Sequence, residues 1–104
     1  MPAILNVTYT YSASAEDWAA AYTRERAEAF LAVPGLIWKI WLDDTEKRRS
    51  GGTFLFETRG AAEAFLASPA GGKARANPNI SDLRMEVYDV REAMTAITHG
   101  PLAR

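Results

Sequence analysis

Four β-rich segments, two alanine-rich helical stretches and one polar loop predict an α+β domain of order β-α-β-β-α-β. Such a chain folds as a four-stranded antiparallel sheet with two helices on one face, the ferredoxin-like arrangement. Residues 3 to 11 alternate with a period of two, and residues 15 to about 31 repeat their apolar positions at helical spacing. Residues 36 to 42 and 51 to 57 are apolar runs joined by a polar stretch of hairpin length.

In the first strand Leu5, Val7, Tyr9 and Tyr11 share one face, and Ile4, Asn6, Thr8 and Thr10 the other. Ser14 precedes Ala15-Glu16-Asp17, a hydroxyl cap followed by acids that suit the positive helix end. The helix runs to about Leu31 with Trp18, Ala19, Tyr22, Ala29 and Phe30 on its apolar side, and Pro34-Gly35 stops it. In the second strand, Leu36 to Leu42, only Lys39 interrupts a run that is apolar on both faces, too apolar for a sheet with one wet face. Asp43 to Ser50 reads as the hairpin loop and Gly51 to Glu57 as the returning strand.

Gly60 leads into a second helix, Ala61 to about Ala67, ended by Pro69 and Gly71-Gly72, and residues 73 to 79 read as an irregular loop. In the fourth strand, Ile80 to Val90, Leu83, Met85 and Val87 face one way and Arg84, Glu86 and Tyr88 the other. A short helix, about Arg91 to Thr98, leaves His99 and Pro101 in a tail. With both main helices on one face, the apolar residues of the other, one of Trp38 and Trp41 among them, need a second cover. A twin sheet in a homodimer supplies it.

The 104 residues suit one domain, 1–104, which buries roughly two-thirds of its unfolded surface, so burial through self-association matters. A net charge of −1 with acids and bases interspersed provides no basic stripe, and no nucleic-acid partner is expected. With no cysteine there is no disulfide and no thiolate nucleophile or metal cluster. The opening MPAILNVTYTY lacks the features of a secretory signal, and no apolar run approaches the roughly 20 residues that cross a bilayer. The cytoplasm and no membrane contact are therefore expected.

Pro34-Gly35-Leu36-Ile37-Trp38-Lys39-Ile40-Trp41, then Gly51-Gly52-Thr53-Phe54-Leu55-Phe56, then Val87-Tyr88-Asp89-Val90 resemble the YdhR-type mono-oxygenase family. The resemblance extends from the first strand to the C-terminal helix. It implies a dimeric α+β barrel, two ferredoxin-like sheets packed back to back, with a pocket between sheet and helices in each protomer. It also implies a mono-oxygenase activity.

Spacing excludes several other chemistries. There is no G-x-G-x-x-G or P-loop, the single His99 cannot form a His-rich metal site, and no Ser-His-Asp or Cys-His arrangement exists. Neither a metal nor an organic cofactor is expected, so an oxygenase of this sequence draws its electrons from the substrate. A small hydrophobic or aromatic molecule such as a phenol, an anthrone-like enol or a polyketide meets that need once deprotonated. The protein then supplies an apolar pocket, donors for an oxyanion and exclusion of water.

Candidate catalytic residues are those that break an apolar pattern. Asn6 sits in mid-strand, where its amide is suited either to a substrate oxygen or to a cross-strand hydrogen bond. Arg26 interrupts the helical stripe, where a guanidinium holds an enolate or carboxylate or else snorkels to solvent. Trp38 and Trp41 lie on opposite faces by parity, and Trp38 is assigned to the pocket. Tyr22, Tyr9, Trp18, Phe54 and Tyr88 are candidate substrate-binding aromatics, with structural roles as the alternative. An isomerase or lyase with Tyr22 or Glu25 as base is a second reading, and a non-catalytic binder of a small hydrophobic ligand a third. A haem-degrading enzyme conflicts with the lone tail histidine, which offers the iron no evident axial ligand.

Overall fold

β1 (Ala3–Tyr11) lies inside the sheet because its odd-numbered residues Ala3, Leu5, Val7, Tyr9 and Tyr11 are all buried on the face that the helices cover. The structure is a computed structural model that describes residues 1 to 103. β2 (Leu36–Asp44), β3 (Arg49–Phe56) and β4 (Ile80–Asp89) complete a four-stranded sheet of order β2-β3-β1-β4, antiparallel throughout. This is the ferredoxin-like α+β fold. β4 presents Met85 and Val87 opposite Val7 and Leu5, as the alternation predicts.

The single helix expected after β1 is two helices. α1 (Ala15–Ala20) is capped by Ser14, whose Oγ accepts from the Asp17 amide at 3.1 Å. The chain then breaks at Thr23, which takes extended backbone and caps α2 (Arg24–Ala29) by accepting from the Arg26 amide at 3.2 Å. One 3₁₀ turn, Phe30–Ala32, leads to Pro34-Gly35. Thr23 decides the break, because its hydroxyl satisfies an amide that a continuous helix would pair with a carbonyl one turn back.

A second correction concerns residues 69 to 76. Thr58 caps α3 (Arg59–Ala67), and Ser68 both ends that helix and caps α4 (Pro69–Ala76), its Oγ accepting from the Gly71 amide at 3.2 Å. Pro69 occupies the first turn, where its missing N–H costs nothing. Gly71 permits a close approach, since a Cβ there would lie 2.2 Å from the Phe65 carbonyl oxygen. The Pro and Gly residues that read as breakers therefore start and pack a helix. α5 (Glu92–Ile97) ends at His99, which takes a left-handed conformation while the Gly100 amide bonds the Thr95 carbonyl.

The core joins Leu5, Val7 and Tyr9 of β1 to Leu36, Phe54, Phe56 and Ala62. On the opposite face the tail approaches β2, where the Trp38 indole donates to the Pro101 carbonyl at 3.0 Å. Ile40, Leu42 and Tyr88 stay exposed on that face, Ile40 at 52% and Tyr88 at 50%. No helix among the described residues is long and apolar enough to cross a membrane.

Gly51 has φ 154°, and a Cβ there would stand 1.9 Å from the Val7 carbonyl oxygen. Gly51→Ala is therefore expected to destabilise by more than ~1 kcal/mol, a fall in Tm of roughly 4–8 °C for each kcal/mol. Gly72→Ala, in α4 with nothing within 4 Å, is expected instead to stabilise by about 0.4–1 kcal/mol. Thermal melts of the two variants check this pair.

Candidate active site

β2 reaches its partner with one extra residue. Leu36 pairs with Phe56 and Trp38 with Leu55, so Ile37 is bulged out of the ladder. Before the bulge Leu36 faces the helices; after it Lys39 and Trp41, opposite Phe54 and Gly52, do so. Trp38, Ile40 and Leu42 are left on the far face. The assignment of Trp38 to the pocket is thus corrected: the bulge inverts the parity counted from Leu36, and Trp41 takes the pocket position.

A cavity of about 400 Å³ lies between this face of the sheet and the helices, within the size range of small-molecule sites. Phe30, Trp41, Phe54 and Phe65 form one aromatic wall, with neighbouring ring centroids 5.4–6.2 Å apart in edge-on and tilted contacts. Trp18 forms the other wall, stacked on Tyr11 at 4.9 Å and edge-on to Tyr9 at 5.8 Å. α4 contributes Gly71, Lys73 and Ala74, and Asn77 follows from the segment that reads as a loop. The charged residues of the lining are Arg26, Lys39 and Lys73, and the lining contains no Asp, Glu, His or Cys.

The Lys39 ammonium group stands over three ring faces, 3.4 Å from the Trp41 centroid, 3.7 Å from Phe30 and 4.7 Å from Phe54. No hydrogen bond or ion pair to the Lys39 side chain occurs among the described residues. Burial, with the Arg26 charge second, pulls its pKa down to about 7. The ring faces act the other way by roughly 0.5–2 kcal/mol. Taking an ammonium out of water costs several kcal/mol, so desolvation wins. Gly52 leaves room for the lysine stem, because a Cβ there would sit 2.8 Å from Lys39 Cε.

A hydrogen-bonded chain backs the aromatic walls. The Trp18 indole donates to the Tyr22 hydroxyl at 3.0 Å, Tyr22 meets the buried Ser50 hydroxyl, and Ser50 donates to the Leu42 carbonyl at 3.1 Å. Tyr9 is kept a neutral phenol, its pKa pushed up to about 12 by burial first and by the Tyr22 hydrogen bond second.

Of the residues singled out from sequence, Tyr9, Trp18, Arg26 and Phe54 line the cavity. Tyr22 stands behind it, edge-on to Trp41 at 5.7 Å and beneath the Arg26 guanidinium at 5.4 Å. Arg26 bonds the Ala21 carbonyl at 3.5 Å rather than a carboxylate. Asn6 and Tyr88 lie on the far face, outside the cavity lining, which corrects the choice of both as pocket residues. The even-numbered parity that carries Asn6 there pairs it with Thr53, whose hydroxyl donates to the Asn6 Oδ1 at 2.9 Å. Tyr88 donates to Glu86 at 2.7 Å. Sequence reasoning missed Lys39, although its place as the lone charge in an apolar run was the available signal.

The family described as "Putative mono-oxygenase ydhR" matches residues 4–101. The chain belongs to that family. No curated protein matches the chain. Among solved structures, a putative antibiotic biosynthesis monooxygenase from Deinococcus radiodurans is 21% identical, with TM-score 0.66 over 85% of this chain and 91% of its own. SnoaB from Streptomyces nogalater, a cofactor-independent oxygenase, is 17% identical, with TM-score 0.64 over 86% and 93%. The heme-degrader MhuD from Mycobacterium tuberculosis, solved with two hemes bound, is 20% identical, with TM-score 0.61 over 86% and 95%. At these identities the shared property is the fold.

The depressed Lys39 pKa makes stability depend on pH. Between about 7 and the ordinary 10.5 the unfolded chain carries a proton on this residue that the folded chain lacks, so stability rises with pH across that window. Lys39→Met is expected to melt higher than the parent below pH 7 and to lose that advantage as pH approaches 10.5. Paired melting curves from about pH 6 to 10 check this.

Proposed function

We propose that this family member is an oxygenase that oxidises a small, electron-rich aromatic or polyketide-like molecule carrying an acidic proton, with dioxygen as the oxidant and no metal or organic cofactor. The observation that carries the reading is the cavity itself: aromatic walls around three cationic side chains with no carboxylate. Rings accept a planar aromatic by stacking, and the cations, Lys39 half-buried and Arg26 and Lys73 exposed, favour its deprotonated form. A deprotonated anthrone or hydroquinone gives electrons to dioxygen readily. For an anthrone, one oxygen atom enters the methylene carbon as a carbonyl and the other leaves as water.

Haem is the cofactor that one structural neighbour carries. The residues here do not fit it: the lining has no histidine or cysteine, its Tyr9 is held as a neutral phenol, and His99 lies exposed beyond α5. The family membership and the description of SnoaB as cofactor-independent support the reading given.

We also infer a homodimer joined through the far face of the sheet. Trp38, Leu55, Ile4 and Tyr88 form an apolar row across all four strands of this face, and Ile40 and Leu42 extend it along the edge strand β2, with Ile40, Leu42 and Tyr88 exposed where a soluble monomer would carry polar residues. A second copy of the same face buries this row across a two-fold axis.

Oxygen-electrode measurements with anthrone or a hydroquinone test the activity. The expected result is uptake of one dioxygen per anthrone consumed, and Arg26→Ala should weaken substrate binding by roughly 10- to 150-fold, as loss of one charge-assisted contact of about 1.5–3 kcal/mol implies. No enzyme-dependent uptake with any such substrate would remove the oxygenase reading. Sedimentation at micromolar concentration should show a dimer, and Ile40→Lys should shift it to monomer.

A further inference from the structure

We propose that Lys39 is the base of this cavity: its amine, set among Phe30, Trp41 and Phe54 with no acid partner, removes the acidic C–H or O–H proton of a bound aromatic ketone or phenol, and the ammonium so formed holds the resulting anion together with Arg26. This deepens the oxygenase reading, on which the choice of substrate class rests. In the step, a bond forms between Nζ and the proton and the substrate C–H or O–H bond breaks. Its electron pair stays on the substrate as an enolate or phenolate. No oxidant takes part.

Geometry singles out Lys39 for this role. The titratable and charged groups that line the same cavity are Arg26 from α2, Lys73 from α4 and Tyr9 from β1. An arginine does not give up its proton in a protein, and Tyr9 is a weaker acid than in water, with its pKa at about 12. Lys73 is exposed at the edge of α4. Lys39 alone is half-buried, faces the rings, and is free of any carboxylate that would hold it charged. Arg26 is the second cause of its lowered pKa, after burial, which leaves amine available near neutral pH. The absent side chain at Gly52 and the bulge at Ile37 are what bring the amine to this side of the sheet.

The test is hydrogen–deuterium exchange at the methylene of anthrone in D2O under argon, followed by proton NMR, so that no oxygen chemistry can contribute. The parent protein should accelerate exchange, with a rate that rises with pH and levels off once Lys39 is neutral. Lys39→Met and Lys39→Arg should each slow it by at least ~10², the lower range of a general-base contribution. Circular dichroism on both variants separates lost chemistry from lost folding, and the pH profile of the parent needs no variant. Absence of acceleration by the parent overturns the proposal. Full activity in folded Lys39→Arg overturns it too, because a fixed cation cannot accept the proton. Exchange that depends on Lys39 without any oxygen uptake in air supports the base assignment and removes the oxygenase reading alone.

Discussion

One extra residue in β2 decides which side chains line the cavity. Because successive strand residues point to opposite faces, a single bulged residue exchanges the two faces for everything that follows it. The bulge at Ile37 lets Leu36 seal the core and then directs Lys39 and Trp41 to the same side, while Trp38, Ile40 and Leu42 go to the other. Both faces of this edge strand are thereby committed, one to a cavity and one to an apolar surface that binds the tail through Trp38 and Pro101.

The cavity combines two features that oppose each other energetically. Aromatic walls make the interior poorly solvated, which penalises charge, yet half-buried Lys39 lies among them without a carboxylate, while Arg26 and Lys73 line the cavity from exposed positions. Arg26 is exposed and reaches a backbone carbonyl and the Tyr22 face. Lys39 responds differently, because an amine can discharge: its ring contacts are too weak to hold the proton against burial and the neighbouring guanidinium. The lining is thus cationic with no carboxylate to balance it.

Hydroxyl caps set the helical cover over this site. Ser14, Thr23, Thr58 and Ser68 each accept a backbone amide three residues on, a contribution of about 1 kcal/mol apiece. Two of them, Thr23 and Ser68, cut what would have been longer or absent helices into pairs. The result is a cover of short segments, with α3 packed on the sheet through Ala62 and Phe65, and α4 closing the cavity through Gly71 and Ala74.

The sequence by itself determined the strands, their order and the α+β class, because period-two alternation and helical spacing are local properties that survive in any packing. It also singled out Tyr9, Trp18, Arg26 and Phe54 as candidate site residues, and all four line the cavity. Placement of Asn6, Trp38, Lys39 and Trp41 was a different matter. Parity counted along the chain holds only while the ladder is unbroken, and whether Ile37 is paired or bulged depends on β3, a strand reached only after the hairpin. For Asn6 the choice of face depends on where the helices pack. α4 was hidden for a similar reason: Pro69 and Gly71 signal a break locally, and only the fit of Gly71 against Phe65 and Leu66 makes a glycine there a condition of the helix. Cross-strand pairing and close packing, neither of them a property of neighbouring residues in the chain, built the candidate site.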